Sequence, residues 1–212
     1  EMTNYYVEFM KKHIFAYLNP PITSKVLPMY WYLGYNVHSK GVLEVGGVIL
    51  ASWIVPIHEN YDGLDYWCTC MFGEDNPSES YLIPTDREIL DRRRKMILGP
   101  VLEKAVKAGN IIIPEEFEVG FDHVTNLIAG LGMEDDPNFY LTRGYPGSVN
   151  TYVFSSISTP DNNSYPPTNE ETFIGYMHLS MFYNQARLAE VYPADKYPFL
   201  TEKFAFVQKY LK

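Results

Sequence analysis

The stretch from Gly41 to Ile57, GVLEVGGVILASWIVPI, constrains this chain more than any other: seventeen residues carry one charge, Glu44. Read as a helix, it would be about 25 Å long at ~1.5 Å per residue. That is the short limit for crossing a bilayer, which takes roughly 17–25 residues. Gly41, Gly46 and Gly47 would then be helix-packing positions, small enough to let a second helix approach closely. Tyr30, Trp31, Tyr32 and Tyr35 before the run, and Trp53 within it, are placed like the aromatic belts of a membrane interface. Two features pull the other way. A charge such as Glu44 near a bilayer interior costs a few kcal/mol unless it is paired or interfacial. Val and Ile enrichment also suits a buried strand pair, VLEV and VILASWIV, broken at Gly46-Gly47.

The charges flanking the run fit an orientation. Residues 1–40 hold Lys11, Lys12, Lys25 and Lys40 against Glu1 and Glu8, whereas residues 58–80 hold six acidic residues and no Lys or Arg. The positive-inside tendency then puts the N-terminus in the cytoplasm or mitochondrial matrix. The organisation expected is an amphipathic N-terminal helix and linker over 1–25, a candidate membrane-spanning segment over 26–57, and an acidic C-terminal domain over 58–212. The fold expected is mainly α with irregular segments, one transmembrane helix and a mostly helical extramembrane domain. The alternative is a soluble α+β domain.

Helix signals recur outside that run. Tyr6, Phe9, Met10, Ile14, Tyr17 and Leu18 repeat at three- and four-residue steps, and Asn19-Pro20-Pro21 ends the pattern. Thr85 with Glu88 and Thr168 with Glu171 are capping boxes. The first opens a basic helix that Pro100 should kink or interrupt and Gly109 should end; the second opens a helix over about 169–191. A last short helix is expected over 201–211. Segments 130–138 and 158–170 read as loops, and 111–114 and 152–154 as short strands.

Composition excludes several classes. A net charge of −9 argues against a general nucleic-acid binder. Two cysteines in 212 residues exclude a disulfide-dense scaffold. Cys68-x-Cys70 supplies at most half a zinc site. No HExxH, nucleophile elbow, phosphate loop or complete dinucleotide fingerprint is present. No catalytic residue, cofactor or metal site is therefore expected. If the chain were instead a soluble enzyme or binding module, His123, Asp122 and Arg143 would be the residues to watch.

Residues 29–55, MYWYLGYNVHSKGVLEVGGVILASWIV, resemble the membrane segment of mitochondrial ATP synthase subunit f. The likeness lies in the aromatic run of Tyr30, Tyr32 and Tyr35, in Asn36-Val37 and Lys40-Gly41, and in the glycine-containing apolar segment Gly47 to Val55. It implies a structural, non-catalytic subunit of an inner-membrane complex that acts in assembly and stability. Its partners would be other subunits and lipid, not nucleic acid. The N-terminus would lie in the matrix and the C-terminal domain in the intermembrane space. An accessory subunit of a respiratory-chain complex shares these features. The chain departs from the family in its Glu44 and in the 155 residues that follow the apolar run.

Overall fold

The computed structural model describes residues 2–34, 38–56, 60–62, 65–70, 87–130, 132–149, 152–153 and 165–211. The chain forms two compact units, Glu1–Asn110 and Ile111–Lys212. Both mix helices with small sheets. No helix among the described residues is long and apolar enough to cross a membrane. The expected transmembrane helix is therefore absent, and the mainly α fold built around it is corrected.

The first unit opens with helix α1, Met2–Phe9, which widens to a π turn over Met10–Ile14 and tightens to a 3-10 turn over Phe15–Tyr17. The helical stripe read from the sequence buries Tyr6, Phe9, Met10 and Ile14 against Ile97. Tyr17 points to solvent instead, because the change of winding rotates it off the stripe. A single helical turn follows, α2, Pro20–Thr23.

Strands β1 (Tyr30–Gly34), β4 (Asn60–Asp62) and β5 (Tyr66–Cys70) form a sheet of order β1-β5-β4. β1 runs parallel to β5, with Tyr30 opposite Tyr66 and Gly34 opposite Cys70. The expected aromatic belt is in part this strand. Trp31 stands edge-on to the buried Trp67 at 5.3 Å, while Tyr30 and Tyr32 are exposed. Tyr-Trp-Tyr thus alternates with the two-residue period of a strand. Buried Thr69 ties the layer together, its hydroxyl accepting from the Trp31 indole and its carbonyl from the Tyr6 hydroxyl. Tyr35 lies outside the described residues, as does Thr85.

Helix α3, Arg87–Lys107, carries Ile97, Val101 and Ala105 into the core at four-residue steps. Pro100 sits inside it, so the helix is not interrupted there. Its missing N–H removes one helical hydrogen bond, and the flanking buried residues hold the turn. Gly109, at φ +73°, closes the helix as expected, and the Asn110 N–H donates back to the Ala105 carbonyl.

The second unit centres on Phe117 of α4, Glu115–Glu118, whose ring meets Phe173 and Tyr176 edge-on at 5.0 and 5.6 Å. Helix α5, Asn169–Phe182, begins at the Thr168–Glu171 capping box that the sequence announced. The expected long helix stops there: Asn184 caps a separate helix α6, Gln185–Val191, by accepting from the Arg187 N–H at 2.8 Å. Helix α7, Pro198–Tyr210, packs on α5 through Leu200, Phe204 and Val207. Residues 111–114 form no strand. The described part of 152–154 is β7, Tyr152–Val153, paired with β6, Ser148–Val149.

Candidate interaction surface

The apolar run is a β-hairpin. β2, His38–Val45, pairs antiparallel with β3, Val48–Pro56, from His38 opposite Pro56 to Val45 opposite Val48. The turn is Gly46-Gly47, with φ of +60° and +82°. Two positive φ values are the requirement of the tight hairpin turn whose twist matches that of the strands, and glycine meets it at little steric cost. A Cβ at either glycine would touch nothing within 4 Å, so among the described residues no neighbour packs on them. Gly46 and Gly47 are turn residues, not helix-packing positions.

Gly41 has a different use. It lies directly across from Trp53, and a Cβ there would overlap the indole. Its missing side chain lets Trp53 fold flat over the facing strand, a cross-strand pair in which the aromatic ring covers the glycine backbone. The register shifts between Leu43 and Glu44: Leu43 faces Ala51 and Glu44 faces Ile49, which leaves Leu50 as an extra residue. That bulge bends the arm near its tip.

The surface chemistry of the arm is unusual. Val42, Leu43, Val45, Val48, Ile49, Leu50, Trp53 and Ile54 are between 43 % and 66 % exposed. Because successive side chains alternate sides, adjacent pairs such as Val42-Leu43, Val48-Ile49 and Trp53-Ile54 put apolar groups on both faces. Eight side chains that are about half exposed leave on the order of several hundred Å² of apolar surface in water, as much as the largest patch on a typical monomer. Among the described residues no third strand joins β2 and β3, so each has an outer edge of unused backbone donors and acceptors. An isolated two-stranded hairpin is marginal in water.

The alternative site residues do come together, but in a clasp. The Asp122 Oδ1 accepts from the Val124 and Thr125 N–H groups at 2.9 and 3.0 Å, and Oδ2 pairs with Arg143 at 3.1 Å. These donors, Thr125 first, hold the carboxyl well below the usual carboxylate range. Arg143 and the Tyr145 hydroxyl both donate to the Asp122 carbonyl, at 2.7 and 2.9 Å. His123 Nδ1 lies 2.6 Å from the Pro167 carbonyl, an acceptor only, so Nδ1 carries the proton and the buried Nε2 is left without a partner. Apart from the Asp122–Arg143 ion pair, these contacts go to backbone, and together they fix the loops. Cys68 and Cys70 lie two residues apart on β5, and Cys68 is half-buried. Among the described residues no three His, Cys, Asp or Glu side chains converge to hold a metal ion. Comparison with protein-family models, curated proteins and solved structures finds no match.

Proposed function

We propose that this chain is a structural, non-catalytic subunit of a larger protein complex, joined to it by the β2–β3 arm. One observation carries the reading: eight exposed apolar side chains on a hairpin whose two edges meet no further strand among the described residues. The open edges favour protein over lipid as the covering material. Hydrocarbon satisfies no backbone donor or acceptor, and an unclosed strand edge does not persist in it. A partner protein supplies both needs, by adding a strand at the edge and apolar side chains on the faces. The aromatic and apolar content of the arm, with only Lys40 and Glu44 charged over 40–56, is that of an interface centre.

The complex to examine first is the one the resemblance names, the mitochondrial ATP synthase, with a respiratory-chain complex second. Membership would come through partner subunits, since the arm is a hairpin. The orientation drawn from the charge flanks presupposed a spanning helix and is not carried forward. The test is a native gel of the source membranes, probed for this chain, beside a variant with Leu50→Glu and Ile54→Glu. Both side chains already face water, so the variant should fold with little change in stability. Wild type should run in a large complex and the variant at its own mass. A variant that stays in the complex would refute the arm as the contact. Wild type running alone would refute the subunit reading.

A further inference from the structure

An open hollow of about 560 Å³ lies on the surface of the first unit, lined by the 25–29 segment, Asp65 and Trp67, and the last turn of α3. Its volume is that of a small-ligand site. Lys25, Lys104 and Lys107 stand around it with a single carboxylate, Asp65, in a chain of net charge −9. Two of these lysines have a structural use: cations favour the carbonyl end of a helix, Lys104 lies 5.6 Å from the centre of the Trp67 ring, and Lys107 pairs with Glu103. Lys25 has none of these. Its backbone takes φ +61°, the left-handed region, and among the described residues it is the only non-glycine to do so.

That strained turn is held by design of the surroundings. The Asn110 side-chain amide donates to the carbonyls of Ile22 and Ser24, both at 2.8 Å, and the Val26 N–H donates to Thr23. The other end of the segment is pinned by the Met29 and Tyr30 N–H groups, which donate to the Asp65 carbonyl. A non-glycine residue kept in a costly conformation by its neighbours, at the mouth of a cavity, is an arrangement typical of ligand sites. The wall is therefore fixed before any ligand arrives, which lowers the ordering cost of binding.

We propose that this cavity binds a polyol phosphate. Three lysines and no arginine line it. Lysine is a point charge suited to a phosphate, whereas planar carboxylates are matched by the arginine fork. Asp65 would repel a bare anion; it serves a ligand that carries a hydroxyl beside its phosphate. Leu27 and Pro28, both half-buried, give the carbon skeleton an apolar wall. The same chemistry occurs in a free glycerol phosphate and in the headgroup of phosphatidylglycerol.

Calorimetry of the full chain with glycerol 3-phosphate and with inorganic phosphate tests the site. Lys25→Gly removes the charge while keeping the backbone conformation, and Lys104→Gln removes the second. Each should weaken glycerol 3-phosphate by about tenfold, the loss of one charged hydrogen bond; the melting temperature should rise in Lys25→Gly, where glycine relieves the positive φ, and fall slightly in Lys104→Gln, which loses its contact with Trp67. Asp65→Asn should weaken glycerol 3-phosphate and strengthen inorganic phosphate. Sedimentation with phosphatidylcholine vesicles, with and without phosphatidylglycerol, separates the sources. Binding only to the anionic vesicles, lost in Lys25→Gly, assigns the headgroup; binding of free glycerol 3-phosphate with the same sensitivity assigns the soluble ligand. No binding to either probe at millimolar concentration, or binding indifferent to the lysines, overturns the proposal.

Discussion

Substitutions at Gly46 and Gly47 separate a hairpin turn from a helix by the sign of their effect. In the hairpin, both residues hold positive φ, +60° and +82°. Leucine in that region costs roughly 1–2 kcal/mol of backbone strain per residue. A Cβ meets no atom within 4 Å, so no clash adds to it. The Gly46→Leu, Gly47→Leu double variant therefore loses about 2–4 kcal/mol, more than a marginal two-stranded hairpin holds. Gly46→Asn should lose only a few tenths of a kcal/mol, because asparagine enters the left-handed region readily. In a helix the order reverses: leucine improves on glycine by about 1 kcal/mol and asparagine by less. Amide NMR of the labelled chain reads the result. The account expects native hairpin shifts for residues 38–56 in Gly46→Asn and their collapse to random-coil values in the double variant. Hairpin shifts surviving in the double variant would refute the reasoning.

Three further outcomes test other parts of the structure. Lys203, 3 % exposed, donates to the carbonyls of Glu116 and Phe117 at 3.3 and 2.9 Å and lies over the rings of Phe117, Phe121 and Phe199. Lys203→Met strands both carbonyls and should cost the second unit about 2–4 kcal/mol in chemical denaturation. Burial pushes the Tyr145 hydroxyl up to about 12. Its contribution is fully present below pH 10, where the unfolded phenol still holds its proton, and is lost as pH rises through about 12; melts taken across that window should lose about 1–2 kcal/mol less in Tyr145→Phe than in wild type, the remaining loss coming from the other buried tyrosines, Tyr176 and Tyr192 among them. Gly41→Ala should evict the Trp53 indole from the facing strand and red-shift its fluorescence, while Gly41→Ala with Trp53→Leu should restore a hairpin of near wild-type stability.

Where the sequence carried a period, it was legible. The stripe of Tyr6, Phe9, Met10 and Ile14 is buried as a helix face must be, and Thr168 with Glu171 starts α5 by satisfying backbone donors locally. Residues 41–57 carried none. An apolar side chain at nearly every position erases the two-residue alternation that marks a strand with one wet face, leaving only length and composition to decide. The Gly46-Gly47 pair and the Val and Ile content pointed to two strands, but to a buried pair; this one is exposed. The same loss of period made Tyr30, Trp31 and Tyr32 look like an interfacial belt, when only the side-by-side placement of β1 and β5 shows that Trp31 turns inward. Pro100 does not interrupt α3, because burial of Ile97 and Val101 outweighs one missing helical bond. The cavity by Lys25 had no signal in the sequence, since Lys25, Asp65 and Lys104 meet only through the fold.

The central claim is that the hairpin arm is covered by a protein partner. Hydrogen exchange over residues 38–56, measured on the isolated chain and on the chain within its native complex, tests it most directly. The account predicts fast exchange in the isolated chain, as an arm with open edges requires, and strong protection of both strands in the complex. Equal exchange in the two states would contradict it.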